Sequence, residues 1–214
     1  LIAAPMEKHI AGQFIKDAQA RLAAQPGLIK IGITGSYGKT STKFLLRDIL
    51  SVKYNVLATP SSFNTPMGVT RVIREQLTPA HQVFIAEMGA RHVGDIRELV
   101  ELVHPQMGLI TSVGPQHLDT FGTIERVRDT KYELIEGLPK DGTAAFARDG
   151  AICEGQFECC PLVRKNKPGV LVDGKNEIGR ETCRGREEIS GGVATFKKKI
   201  LNVTLNLFTI YKQP

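Results

Sequence analysis

A glycine-rich turn near the start of the chain constrains the fold more than any other feature. It reads Gly-Ile-Thr-Gly-Ser-Tyr-Gly-Lys-Thr-Ser-Thr over residues 32–42. The apolar run 28–33 leads into it and is typical of a buried strand. Residues 39–52 follow it with four apolar residues on one side of a helix, namely Leu45, Leu46, Ile49 and Leu50. A strand, a glycine turn and a helix that begins at Gly-Lys-Thr form the arrangement of a P-loop.

The chemistry of such a turn suits a nucleotide phosphate. Glycines let the backbone approach an anion, while the backbone N–H groups and the helix N-terminus supply positive potential. Lys39 adds a point charge, and the Thr40 hydroxyl is placed to ligate Mg²⁺. The spacing departs from the common pattern, because Ile33 stands where a first glycine is usual. The alternative, a turn that merely needs glycines, is disfavoured by this context. The predicted nucleotide-contacting residues are Gly35, Ser36, Gly38, Lys39, Thr40 and Ser41.

Apolar runs and helical patterns alternate after the turn. The predicted strands are 28–33, 56–58, 83–86, 107–111 and 143–147, and the predicted helices are 39–52, 69–77, 94–103 and 124–138. This alternation predicts an α/β fold in which a mostly parallel sheet has helices on both faces. Ligands of such sheets bind at the carboxyl ends of the strands, where the polar loops of this chain also fall.

Three regions are expected. Residues 1–27 form a helical lead, because 6–24 carries an apolar stripe that ends at Pro26-Gly27. Residues 28–150 form the P-loop domain. Residues 151–214 form a basic, partly β tail, in which only 169–172 and 200–211 read as strands.

Composition excludes several classes of protein. Of 214 residues, 42% are hydrophobic and 23% charged, which is ordinary for a globular protein. The net charge of +6 does not imply nucleic acid, because basic and acidic residues are interleaved over the first 150 positions. The four cysteines form no Cys-x-x-Cys pair, so free thiols are expected rather than zinc. No apolar stretch is long enough to cross a bilayer, and a cytoplasmic chain is expected.

Three further residues are candidates for chemistry. Glu87 ends an apolar strand, so its carboxylate would lie beside the P-loop and within reach of Mg²⁺; a solvated strand end is the alternative. His117 follows the fourth strand in a glycine-containing loop, where imidazole could bind metal, although a lone loop histidine is more often structural. Lys131, judged by itself, looks like a surface lysine.

Taken together, the motifs resemble those of the Mur ligases, in their central ATPase domain. The resemblance covers roughly residues 28–150. It rests on the glycine-rich loop, on Thr59-Pro60 through Asn64-Thr65 with Gly68, on Glu87-Met88-Gly89, on residues 114–118 with Phe121-Gly122, and on Lys131-Tyr132-Glu133. Five ordered motifs are far more specific than one loop. Tyr37 departs from the pattern, since the family more often has Asn or Lys there.

The resemblance implies an ATP-dependent amide ligase of peptidoglycan precursor synthesis. A UDP-N-acetylmuramoyl-peptide carboxylate would be activated by ATP as an acyl phosphate, which the amine of D-Ala-D-Ala displaces. By family position, Lys39 holds phosphates, while Thr40 and Glu87 hold Mg²⁺. His117 would ligate a second Mg²⁺, and Lys131 would be carbamoylated to support that metal. Asn64 and Thr65 would face the muramoyl-peptide substrate.

The resemblance leaves alternatives open. Another ligase of the superfamily, similar to folylpolyglutamate synthase or cyanophycin synthetase, would use the same ATPase core on a different carboxylate. A nucleotide-binding module without catalysis is a further alternative. Neither a UDP-binding domain before residue 28 nor a C-terminal domain after 150 is evident, so we expect a truncated central domain that lacks full activity. We also expect a monomer.

Overall fold

The computed structural model describes residues 3–60, 63–148 and 169–173, whose helices and strands alternate along most of the chain. In order, they are α1 (Ala3–Ala23), β1 (Ile29–Thr34), α2 (Lys39–Leu50), β2 (Val56–Ala58), α3 (Pro66–Gln76), β3 (Val83–Glu87), α4 (Asp95–Val103), β4 (Met107–Ile110), α5 (Leu118–Phe121), α6 (Ile124–Glu136), β5 (Thr143–Arg148) and β6 (Gly169–Asp173). The strands form one sheet in the order β2-β3-β1-β4-β5-β6, and every neighbouring pair is parallel.

The strand that leads into the glycine-rich turn lies between the two strands that matter most for the site. β1 pairs with β3 on one side, where Ile33 is opposite Glu87, and with β4 on the other, where Thr34 is opposite Ile110. Because all three strands run in the same direction, the loops that follow them meet at one edge of the sheet. This register brings the predicted site loops together.

Apolar side chains bury both faces of the sheet, as expected for parallel strands covered by helices. One face packs on α2 and includes Ile33, Ile85 and Leu46. On the opposite face α4 and α6 contact the sheet, and α1 and α3 add to the same larger cluster, which includes Phe84 and Leu134. The predicted α/β architecture is therefore confirmed.

Two strand glycines set how closely α6 lies on the sheet. A Cβ atom added at Gly32 of β1 would lie 2.7 Å from Cδ1 of Leu134. One added at Gly108 of β4 would lie 3.1 Å from both Leu134 and Ile135. These distances are tighter than van der Waals contact, so a larger side chain at either position would require the α6 side chains, or the helix that carries them, to move.

Element types were predicted correctly, and boundaries were less accurate. α3 begins at Pro66 rather than Val69, because Thr65 caps it by accepting the Gly68 N–H at 3.3 Å and proline suits a first helical turn. The short helix α5 was not predicted. The strand predicted over 200–211 lies outside the described residues, as do the four cysteines. Within the described ranges, no helix has both the length and the hydropathy to span a membrane.

Candidate nucleotide and metal site

The glycine-rich turn between β1 and α2 adopts backbone angles that favour glycine. Gly35 has φ 146° and Gly38, which precedes the first residue of α2, has φ 79°. A side chain at Gly35 would also overlap the hydroxyl of Thr111. Both glycines are thus required by the path of the loop, which leaves the first N–H groups of α2 at the end of the helix. An anion placed there would meet unpaired donors.

Hydrogen bonds join this loop to the loop that follows β4. The Ser36 N–H donates to the Ser112 carbonyl at 2.8 Å, and the Tyr37 N–H donates to the Ser112 hydroxyl at 3.1 Å. The Tyr37 phenol donates to the Pro115 carbonyl at 3.1 Å, and the Ser36 hydroxyl donates to the Gly114 carbonyl at 3.0 Å. The two loops are therefore held as one unit.

Lys39 lies against the backbone of the turn. Its ammonium donates to the carbonyls of Gly35 at 2.8 Å and Ser36 at 3.3 Å. Burial lowers the pKa of Lys39, and the negative charge of Glu87 partly opposes that effect. The cation is therefore close to both the loop and the carboxylate, as a phosphate-binding lysine must be.

Glu87, at the end of β3, is only 2% exposed and is held by several partners. The Thr40 hydroxyl donates to its two oxygens at 3.0 and 3.2 Å, and Nζ of Lys43 donates to Oε2 at 2.8 Å. The Asn64 amide reaches Oε1 at 3.3 Å. The alternative of a solvated strand-end carboxylate is excluded, and Thr40 and Glu87 lie together as expected.

Lys43 was not identified from the sequence. It lies on α2 one turn after Thr40 and is 0% exposed, on the same side of the helix as the buried residues Leu46 and Leu50. This position at helical spacing from buried leucines was the available signal. Its ion pair with Glu87 explains how a lysine can be so deeply buried.

Lys131, on α6, is 1% exposed, so the expectation of a surface lysine was wrong. Burial, followed by the positive charge of Lys39, lowers the pKa of Lys131 to about 8, while Asp95 and Glu133 act in the opposite direction. Within the described chain, no carboxylate lies within ion-pair distance of its ammonium. A buried lysine whose pKa lies close to physiological pH is a candidate for chemistry that needs a neutral amine.

The two predicted substrate residues follow β2. The side-chain amide of Asn64 donates to Glu87, and its backbone carbonyl accepts the Gly89 N–H at 2.8 Å, so Asn64 ties this loop to the end of β3. Thr65 is the N-cap of α3, and its hydroxyl accepts from Gly68. The structure thus places Asn64 at the carboxylate and gives Thr65 a capping contact.

His117 lies in the loop after β4, at the first position before α5. Its backbone is left-handed, with φ 53° and ψ 40°, and its side chain is exposed. Among the described residues, no three His, Cys, Asp or Glu side chains gather closely enough to hold a metal ion. The structure therefore brings Thr40 and Glu87 together but does not add His117 to them as a preformed cluster.

Comparison with known proteins relates this geometry to one family. Residues 33–182 match the Mur ligase middle domain. The chain is 41% identical over 123 residues to UDP-N-acetylmuramoyl-tripeptide--D-alanyl-D-alanine ligase of Mycobacterium tuberculosis, which covers 58% of this chain and 24% of that protein. It is 30% identical over 156 residues to the Escherichia coli ligase of the same name, covering 70% and 34%.

A solved structure shares the fold as well. MurF ligase from Thermotoga maritima in complex with ADP superposes with a TM-score of 0.67 at 29% identity, over 75% of this chain and 36% of that one. The chain thus spans about a quarter to a third of the length of these relatives.

Proposed function

The chain belongs to the Mur ligase family, and from this premise we propose that it supplies the ATP site of an amide ligase of peptidoglycan precursor synthesis. The reaction joins D-Ala-D-Ala to the free carboxylate of a UDP-N-acetylmuramoyl-tripeptide. The names of the relatives at 30–41% identity support the substrates. The observation that carries the proposal is the buried Glu87 carboxylate, hydrogen-bonded to Thr40 at the start of the helix that follows the glycine-rich turn.

The nucleotide occupies the turn between β1 and α2. Gly35 and Gly38 open the loop, the first N–H groups of α2 face the phosphates, and Lys39 exchanges its bonds to loop carbonyls for phosphate oxygens. Ser36 and Ser41 lie in and just after the turn and complete the polar lining. The Thermotoga maritima ligase, which shares this fold, was solved in complex with ADP, and this supports nucleotide binding by the chain.

The residues at the end of β3 fit Mg²⁺. Thr40 and Glu87 present a hydroxyl and a carboxylate within 3.0 Å of each other, and hard cations prefer such oxygen donors. When bound, the cation neutralises the charge that develops between phosphate and carboxylate. His117, in the loop hydrogen-bonded to the turn, is proposed to contribute to a second site together with Lys131.

Lys131 is proposed to react with CO₂. A neutral amine attacks the carbon of CO₂, forms an N–C bond and releases a proton, which leaves a carbamate in place of a cation. With a pKa of about 8, roughly a tenth or more of the side chain is neutral at physiological pH. Burial excludes much of the competing water, and the resulting anion would offset the charge of Lys39.

The acceptor carboxylate attacks the γ-phosphorus of ATP, and ADP leaves. The amine of D-Ala-D-Ala then attacks the acyl carbon of the resulting acyl phosphate, the bond from that carbon to the phosphate oxygen breaks, and phosphate leaves with the proton that the nitrogen loses as the amide forms. Residues of this chain hold the two anions together in the first step, because Lys39 and the helix N-terminus offset their repulsion. Asn64 positions Glu87 and lies where the muramoyl-peptide is expected to approach.

Phosphate release by the full-length protein that contains this chain tests the proposal. The protein is incubated with ATP and Mg²⁺, the UDP-muramoyl-tripeptide is added with or without D-Ala-D-Ala, and a folate substrate is offered in parallel. Release that requires both muramoyl-tripeptide and D-Ala-D-Ala is the expected result. Release with the folate substrate alone would favour a folylpolyglutamate synthase-like ligase. ADP binding without release under any condition would favour a non-catalytic module.

A further inference from the structure

Lys43 stands at the centre of the candidate metal site without being one of its expected ligands. Its side chain is 0% exposed, and its Nζ donates to Oε2 of Glu87 at 2.8 Å. The Thr40 hydroxyl reaches the same oxygen at 3.0 Å. A cation that binds to Glu87 therefore has to share a carboxylate that an ammonium already contacts.

The charge around Glu87 is unfavourable for a free cation. Lys43 offsets the carboxylate through a buried contact, and Lys39 is close enough that the charge of Glu87 influences its protonation. Two ammonium groups thus face one carboxylate. In a buried site such charges are poorly screened, so a divalent ion arriving alone meets more positive than negative charge from Lys39, Lys43 and Glu87, the charged groups that the described residues place here. The polyphosphate of a nucleotide would reverse the sign.

We propose that Lys43 is a positioning residue that holds Glu87 and offsets its charge, so that a divalent cation binds at this edge only together with a nucleotide. This inference rests on the proposed nucleotide and metal site, and adds to it the order in which the site is filled. Lys43 fixes one carboxylate oxygen, Asn64 contacts the other, and the rotamer of Glu87 is set before any ion arrives.

Binding of Mn²⁺ alone, measured by the electron paramagnetic resonance of the free ion, tests the inference in the full-length protein. Wild type is expected to bind no Mn²⁺ at concentrations that saturate it once ADP is added. Lys43→Met removes the ammonium but keeps an unbranched chain, and should bind Mn²⁺ without ADP at least about tenfold more tightly than wild type. Lys43→Arg keeps the charge and should behave as wild type does.

The direction of the change separates this role from a purely structural one. Loss of structure would weaken Mn²⁺ binding, whereas loss of an opposing charge strengthens it. Circular dichroism checks folding, and Mn²⁺ without nucleotide should raise the melting temperature of Lys43→Met more than that of wild type. Equal or weaker Mn²⁺ binding by a folded Lys43→Met protein would overturn the inference.

A second measurement does not depend on the variants. If wild type binds Mn²⁺ equally well with and without ADP, the inference is wrong even when Lys43→Met fails to fold. Failure of the proposed function looks different: no variant would bind ADP. The comparison of wild type with Lys43→Met in Mn²⁺ alone would then still decide whether Lys43 offsets the charge of Glu87.

Discussion

Two lysines are buried at the same end of the sheet, and they are stabilised in opposite ways. Lys43 is 0% exposed and has a carboxylate at 2.8 Å, whereas Lys131 is 1% exposed and has none within ion-pair distance among the described residues. Lys43 is held as one half of an ion pair. For Lys131, burial and the charge of Lys39 lower the pKa to about 8. Burial alone therefore does not decide the chemistry of a lysine; the nearest carboxylate does.

The two environments suit two tasks. An ion-paired ammonium is a fixed charge that can orient Glu87, since the buried pair is costly to break. The Lys131 ammonium, which has no carboxylate within ion-pair distance among the described residues and a lowered pKa, releases its proton more readily and exposes a nucleophilic nitrogen. Substitutions at the two lysines therefore test the difference between their environments.

The largest effect is expected at Lys131. In the full-length enzyme, Lys131→Ala should lower ligation at least about 10²-fold, because the group that is proposed to support the second metal is lost. Lys131→Glu should retain more activity than Lys131→Ala, since it restores a carboxylate. Phosphate release under saturating substrates measures both, and the exposed Lys140→Ala is the matched control. An alanine variant as active as the parent would rule out this role.

Breaking the Lys43–Glu87 pair should cost stability. Lys43→Met leaves a buried carboxylate without its counter-charge and should lower the free energy of unfolding by about 3–5 kcal/mol. The double variant Lys43→Met with Glu87→Gln should lose clearly less free energy of unfolding than Lys43→Met alone, because neither charge then remains. Urea unfolding of Lys43→Met, Glu87→Gln and the double variant beside wild type measures these losses. If the double variant loses the sum of the two single losses, the side chains are not coupled and the contrast with Lys131 fails.

The lowered pKa of Lys131 predicts a dependence of stability on pH. The pKa is about 8 in the folded protein and 10.5 ordinarily, so between these values the unfolded chain binds a proton that the folded chain does not. The free energy of unfolding should therefore rise with pH across this window, by at most about 3 kcal/mol from this group. The destabilisation that comes from burying the charged Lys131 ammonium is fully present below pH 8 and is lost as the pH rises towards 10.5.

The variant Lys131→Met isolates that contribution from other groups that titrate in the same range. The quantity to follow is the difference in free energy of unfolding between wild type and Lys131→Met, below pH 8 and again close to pH 10.5. It should shift in favour of wild type as pH rises. A difference that stays constant would show that Lys131 keeps its ordinary pKa.

The smallest effect is expected at an exposed pair of similar length. Arg71 and Glu75 of α3 approach to 3.0 Å, yet their side chains are 62% and 56% exposed. Glu75→Gln should change the free energy of unfolding by less than about 0.5 kcal/mol, since water and salt screen such pairs. Urea unfolding beside Lys43→Met makes the comparison. A loss close to that of Lys43→Met would mean that distance, rather than burial, sets the strength of these pairs.

The order of strands and helices was predictable because apolar periodicity reports it directly. The meeting of Thr40 and Glu87 was predictable too, because parallel strands bring their carboxyl ends to one edge and the two residues follow neighbouring strands. Gly35 and Gly38 likewise lie where a loop of this kind requires a left-handed or otherwise unusual backbone.

The burial of the two lysines could not be predicted from residue types. A lysine at helical spacing from leucines can extend to solvent or turn inward, and the choice depends on a carboxylate that lies 44 positions away in the case of Lys43. His117 shows a different limit. The sequence pattern predicts that it lies in the loop after β4, but it does not predict the direction in which the side chain points. Its role in a second metal site stays a prediction.

The position of Lys131 depends on two sheet residues that have no side chain, Gly32 and Gly108. Leu134, one turn further along α6, rests on Gly32 and Gly108, where no Cβ keeps the helix away. A methyl group at either glycine would force the Leu134 side chain to move, and any shift of α6 that follows would carry Lys131 with it, while every polar residue of the site stayed unchanged. A related chain could therefore lose the reactivity of this amine without any change in its polar residues. A search that compares only the polar residues of such sites would count that chain as having an intact site.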